Sequence, residues 1–186
     1  AEHGSVSILF KKDPRSSSTL WAQGGIAAVH QPDDSFELHV EDTLACGAGL
    51  CNPEIVELVV REGPERVHEL IALGASFDKE SGGDFHLHRE GGHSMRRIFH
   101  AGDATGYEIQ RALLKAVESH PNIEFLTNSS AIDLITTHKL QLASEKPNKV
   151  LGAYVLRGDG QIEVMLADKV LVATGGAGKI YLYTSN

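Results

Sequence analysis

Apolar residues fall into short runs separated by glycine, proline and charged turns, with three stretches of helical spacing among them. Ser5-Val6-Ser7-Ile8-Leu9-Phe10 predicts a buried strand, ended by Lys11-Lys12-Asp13-Pro14. A polar stretch from Ser16 to Gly25 leads into the apolar run Ile26 to Val29. Ser35 predicts the N-cap of a helix over Phe36 to Leu44, with Leu38 and Leu44 on a similar face and Gly47 and Gly49 at its end. Asn52-Pro53 starts the next helix, a cap followed by proline at the first helical position. Its expected apolar stripe is Ile55, Val56, Val59 and Val60, and Gly63-Pro64 predicts a break or kink. Val67, Leu70 and Ile71 then resume at i, i+3, i+4 as far as Gly74.

Residues 75–100 are polar, glycine-rich and irregular in pattern. A third helix begins at Asp103 or Thr105, capped within Asp103-Ala104-Thr105-Gly106, and sets Ile109, Leu113, Ala116 and Val117 on one face. His120-Pro121-Asn122 closes it. Strands are expected over 123–126, 131–135, 150–156 and 164–166, with Gly158-Asp159-Gly160 as a hairpin turn. Lys169 to Ala173 reads as a further buried strand ending in Thr174-Gly175-Gly176. The summed fold class is α/β with a β-meander insertion, expected as one domain over residues 1–186.

Composition narrows the function classes. At 186 residues, 41% hydrophobic and 23% charged, the chain can bury a sizeable core. A net charge of −8 gives no general attraction to nucleic acid or anionic lipid. No apolar run approaches the ~20 residues that cross a bilayer. Cys46 and Cys51 are too few for a secreted disulfide framework, and the expected compartment is the cytosol.

Three places carry candidate chemistry. Ser16-Ser17-Ser18-Thr19-Leu20-Trp21-Ala22-Gln23-Gly24-Gly25 joins hydroxyls, one large aromatic and paired glycines, which suit hydrogen bonding to an anion or a flat heteroaromatic edge at close range. On the residues alone the stretch reads as a polar loop leading into a strand. Glu90, between Arg89 and Gly91-Gly92, reads either as a ligand carboxylate or as half of a surface ion pair worth little. His86-Leu87-His88 with His93 and Asp84 reads either as a zinc cluster or as loop histidines bonded to backbone and solvent. The five-residue spacing of Cys46 and Cys51 lacks Cys-x-x-Cys redox character, and both thiols are expected to be buried or inert.

Thr19-Leu20-Trp21-Ala22-Gln23-Gly24-Gly25-Ile26 resembles the flavin-contacting loop of the succinate dehydrogenase/fumarate reductase flavoprotein family. Further motifs resemble its L-aspartate oxidase branch, in the family's order: His39-Val40-Glu41-Asp42-Thr43-Leu44, Gly47-Ala48-Gly49-Leu50-Cys51, Arg89-Glu90-Gly91-Gly92-His93-Ser94, Asp103-Ala104-Thr105-Gly106 and Ala173-Thr174-Gly175-Gly176-Ala177. The resemblance implies FAD as cofactor, with Ser18, Thr19, Leu20, Trp21, Ala22, Gln23, Gly24 and Gly25 along the isoalloxazine and phosphates. It sets Lys11 near the adenosine end and the backbone of Ser130 and Ala131 against the adenine. In the respiratory members a histidine five residues before the loop glutamine bonds the flavin covalently. Ser18 stands at that position, so the flavin is expected to be non-covalent.

The respiratory members carry an apolar residue where this chain has Glu90. Aspartate differs from succinate by one ammonium group, which a carboxylate can meet with a charge-assisted hydrogen bond. The implied activity is oxidation of L-aspartate to iminoaspartate, with oxygen or fumarate reoxidising the flavin and quinolinate synthase as the neighbour in NAD biosynthesis. The family's opening Gly-x-Gly-x-x-Gly turn occurs nowhere in the sequence, and its capping domain would begin near Asn186. The chain is therefore expected to be a partial FAD-binding Rossmann-like domain, inactive alone. Three rivals remain: a fumarate reductase-like flavoprotein with dissociable FAD, a metal-dependent hydrolase using His86, His88 and His93, and a scaffold without chemistry.

Overall fold

A computed structural model of the chain describes residues 1–141 and 147–183; Asn186 lies outside the described residues. It is mixed α/β and divides into two units, one formed by Ala1–Ser18 with His120–Asn186 and one by Thr19–Ser119.

In the first unit, β1 (Val6–Leu9) pairs in parallel with β4 (Ile123–Leu126), Val6 opposite Ile123 and Leu9 opposite Leu126. Phe10 and Phe125 meet edge to face at 5.2 Å. The expected burial of β1 is only half realised, since Val6 and Ser7 are exposed and Ile8 and Leu9 half-buried. The β-meander is present: β5 (Ser130–Thr136), β6 (Val150–Leu156) and β7 (Ile162–Leu166) form an antiparallel sheet with β6 central. The β6–β7 turn closes where Arg157 N–H donates to the Gln161 carbonyl. Val155 and Ile135 are buried on this sheet.

The strand expected over Lys169 to Ala173 is absent. Residues 167–177 form no regular element, and Leu171 is 91% exposed. An apolar run becomes a strand only when a neighbour pairs its N–H and C=O groups, and no described residue pairs with this one.

The second unit holds β2 (Ile26–Ala27), α1 (Phe36–Cys46), α2 (Pro53–Ala72), β3 (Ile98–Phe99) and α3 (Thr105–Glu118). Ser35 caps α1 by accepting from Leu38 N–H, and Asn52 caps α2 by accepting from Glu54 and Ile55 N–H. Gly63-Pro64 does not break α2, which runs on to Ala72. The buried stripe is Val56, Val60 and Val67, and Gly63 completes it where the helix passes Ala27 and Ala28. Burial of that stripe offsets the hydrogen bond that Pro64 cannot donate. Ile55 and Val59, expected on the stripe, stand one position off it and are exposed.

Asp103 does not cap α3. The N-cap residue is Ala104, with no side-chain cap bond, and the Thr105 hydroxyl accepts from Ala101 N–H instead. The packed face of α3 carries Thr105, Gly106, Gln110 and Ala112, with Ile109 partly buried, whereas Leu113 is exposed. A core of Ala28, Val67, Ala75, Phe77, Leu87, Phe99 and Ala112 ties β2, α2, β3 and α3 together. No helix of the described residues is long and apolar enough to cross a membrane.

Candidate functional site

In the second unit the polar loop begins with a 3₁₀ turn, Thr19–Trp21, closed by Ala22 N–H donating to the Thr19 carbonyl. It is anchored from α3, because Gly106 N–H donates to the Ala22 carbonyl at 2.9 Å. A Cβ on Gly106 would collide with the Thr19 carbonyl oxygen, so glycine at the start of α3 lets the loop lie against it. Trp21 is 78% exposed, and Gln23, Gly24 and Gly25 are exposed too. Gln23 and Gly24 donate no backbone hydrogen bond to any described residue. An exposed loop with bare N–H groups and no Cβ fits a flat, polar-edged ring such as isoalloxazine.

The paired glycines serve different neighbours. The space beside Gly25 is filled by the Phe99 carbonyl and the Ile98 side chain, which lets β2 pack on β3. Beside Gly24 the nearest atom is Glu90 Oε2, 3.7 Å from where a side chain would begin. The structure thus brings Glu90 to the loop, although Glu90 comes 66 positions after Gly24 in the sequence.

Glu90 stands on a turn in which His93 N–H donates to the Glu90 carbonyl. Gly92 packs tightly on Cys46 Sγ, and Ser94 donates through both N–H and hydroxyl to Asp42 Oδ2 at 2.8 Å each. Asp42 also accepts from Arg97 at 2.6 Å, and Asp34 holds the same guanidinium bidentately at 2.6 and 2.9 Å. The Arg97 and Asp34 side chains are fully buried. Burial pushes the Asp42 carboxyl up, but Ser94 and Arg97 together hold it below the usual carboxylate range. Burial opposes the charge on Arg97, and the two carboxylates outweigh it and raise its pKa. Asp34 and Arg97 were not singled out from the sequence, and Asp42 entered only within the motif His39 to Leu44. The signal available was an arginine directly before the buried pair Ile98-Phe99.

A cleft of about 750 Å³ is lined by His88, Arg89, Glu90, Ser94 and Arg96, with Phe85 and Leu87 as apolar wall. Asp33 and Glu80 line it as well, so the cleft presents three carboxylates, Asp33, Glu80 and Glu90, together with two guanidinium-bearing residues, Arg89 and Arg96.

The remaining cofactor candidates lie in the first unit. Lys11 directly follows Phe10, whose carbonyl accepts from Ser129 N–H at 2.9 Å, so Lys11 and the Ser130-Ala131 backbone come to one edge. Ser18 is exposed in the same unit.

The expected histidine cluster is redrawn. His93 leaves it, its ring lying 5.5 Å from His39 and its Nδ1 3.4 Å from Arg97. His100 takes its place beside His86 and His88. Asp84 does not join, its backbone being used to bond Glu80 in a local turn. A hydrolase site built on His86, His88 and His93 is therefore not formed. The two cysteines are free; Cys46 is exposed rather than buried, and Cys51 is half-buried.

These features define a flavin-domain scaffold, and comparison with known proteins agrees. The sequence model described as FAD binding domain matches residues 1–186, and the chain belongs to this family, within the succinate dehydrogenase/fumarate reductase flavoproteins. It is 48% identical over its whole length to L-aspartate oxidase 2-a, chloroplastic, of Nicotiana tabacum, and 47% identical to L-aspartate oxidase of Vibrio cholerae. It spans 28% of the first and 35% of the second. Among solved structures it is similar to E. coli quinol fumarate reductase FrdA (TM-score 0.86, 29% identity, 96% of this chain and 29% of that one). Mycobacterium smegmatis Sdh1 is also similar (TM-score 0.87, 30% identity, 98% of this chain and 31% of that one).

Proposed function

We propose that the full-length protein oxidises L-aspartate to iminoaspartate with non-covalent FAD, and that Glu90 orients the substrate ammonium group. The observation that carries this reading is the Glu90 carboxylate beside Gly24 of the Gln23-Gly24-Gly25 loop. A buried ammonium needs a carboxylate facing it, and succinate or fumarate does not. Identities of 44–48% with aspartate oxidases, against 29–30% with the respiratory structures, support the same choice.

In this reading Lys11, Ser130 and Ala131 hold the adenosine end, and Ser18 to Gly25 meet the isoalloxazine and phosphates. Serine at position 18 leaves the flavin dissociable, because a hydroxyl does not make the histidyl link. FAD, when bound, supplies the two-electron acceptor for the hydride leaving the aspartate α-carbon, and oxygen or fumarate regenerates it. The chain's own part is to position: Glu90 fixes the ammonium, and Asp42 and Arg97 hold the turn that carries Glu90. Iminoaspartate would pass to quinolinate synthase in NAD biosynthesis, with the cytoplasm as the setting.

A second reading, fumarate reduction by dissociable FAD, draws on the structural likeness to quinol fumarate reductase. Glu90→Gln in the full-length, FAD-loaded protein separates the two. Loss of a charge-assisted hydrogen bond lowers kcat/KM for aspartate roughly 10- to 100-fold and leaves fumarate reduction largely intact. Equal activity of variant and parent on aspartate would overturn the assignment of Glu90.

A further inference from the structure

We propose that His86, His88 and His100 bind one borderline-soft divalent cation, of which zinc is the representative. The argument does not rest on the flavin chemistry above, although His88 also lines the cleft that holds Glu90. The three residues lie in the second unit and come together through backbone pairing. His88 bridges antiparallel to Ile98, which sets His86 across from His100. Residues two apart on an extended strand share a face, so all three imidazoles rise on the same side.

The distances are close to those of a coordination sphere. His100 Nε2 and His86 Nδ1 are 3.2 Å apart, and one nitrogen from each of the three rings lies within 4.8 Å of the others. Tetrahedral zinc with Zn–N bonds of ~2.0–2.1 Å spaces its ligand nitrogens by ~3.3 Å. The His86–His100 pair already meets that spacing. His88, stacked on His100 at 3.6 Å, has to swing outward by about an ångström or two to complete it. It is half-buried on the wall of the open cleft, which leaves it room to do so.

The surroundings of His100 bear on the site. His100 is 5% exposed, and its Nδ1, on the side of the ring away from His86, makes no well-formed hydrogen bond among the described residues. That Nδ1 lies 3.2 Å from Asp78 Oδ2, a carboxylate already accepting from Gly102 N–H. A cation on Nε2 would fix the proton on Nδ1 and turn this contact into the carboxylate–histidine–metal arrangement that orients ligating imidazoles. An all-imidazole set selects zinc, copper or nickel over magnesium or calcium. Three protein ligands leave a fourth position for water.

The test is a titration of the chelator-treated full-length protein with zinc alone, read by competition with a chromophoric chelator. One equivalent is expected to bind. Asp78→Asn should weaken it roughly 10- to 100-fold, and His88→Ala at least as much, while His138→Ala, at an exposed residue of the other unit, leaves it unchanged. His88 is half-buried, so its variant tests the site without removing the buried His100. Cobalt(II) added instead of zinc should give intense tetrahedral visible bands that disappear in His88→Ala. No zinc binding, or binding unaffected by both His88→Ala and Asp78→Asn, overturns the proposal.

Discussion

Asp42 on α1 receives both the N–H and the hydroxyl of Ser94 on a single carboxylate oxygen, each at 2.8 Å. Only three residues lie between Glu90 and Ser94, so this contact decides where the turn bearing Glu90 rests. The same oxygen is shared with Arg97, and through Arg97 with Asp34, which makes the turn, helix α1 and the loop before it one polar unit.

Arg97→Met is expected to destabilise the fold by about 3–5 kcal/mol, because Asp34 and Asp42 lose the buried charge that compensates them. Arg97→Lys should recover little of this, since an ammonium cannot span the two carboxylates as the guanidinium does. Urea unfolding of the two variants beside the parent measures both values. A near-neutral Arg97→Met would show that the network contributes little to stability.

The glycines at the loop should separate fold from ligand. Gly106→Ala puts a methyl group into the Thr19 carbonyl, so the 3₁₀ turn must move and FAD affinity should fall together with stability. At Gly24 a methyl group meets only Glu90 Oε2 at van der Waals distance, so Gly24→Ala should cost less than about 1 kcal/mol of stability while weakening flavin or aspartate binding. Thermal unfolding paired with flavin titration distinguishes the two patterns. A Gly24→Ala protein with parental affinity for both ligands would remove Gly24 from the site.

Stability should fall as pH drops from about 6.5 to 4. Burial first, then the neighbouring Arg97, push the His39 imidazole down to about 4. In the unfolded chain it titrates near 6.5. Between those values the unfolded state binds more protons, so the contribution of neutral His39 is complete above pH 6.5 and gone below pH 4. It amounts to about 3 kcal/mol at most. The groups facing His39 are Arg97, His93, Asp34 and Asp42. Denaturant unfolding from pH 4 to 8 should show this slope in the parent and a shallower one in His39→Gln.

Gly63→Ala is expected to stabilise the protein by roughly 0.5–1 kcal/mol. Alanine is the better helix former, and its Cβ would meet Ala27 and Ala28 at 3.8–3.9 Å, an ordinary contact. A drop in melting temperature would mean that α2 depends on the close approach that glycine permits.

Local chemistry alone determined the caps at Ser35 and Asn52 and the turn at Gly158-Asp159-Gly160 that joins β6 to β7, because each depends on residues within a few positions of one another. The Ser16 to Gly25 loop and Glu90 stood out as candidates for a similar reason, as short runs of particular residue types. What needed tertiary structure involved partners far away in the chain. Pro64 stays inside a helix because Val56, Val60 and Val67 are buried around it, and Leu171 forms no strand because no described residue pairs with it. His100 joins His86 and His88 while His93 turns to Arg97, a choice made by the pairing of His88 with Ile98. Arg97 with Asp34 and Asp42 could not be read in advance either, since a charge becomes a buried clamp only when two other segments bring carboxylates to it.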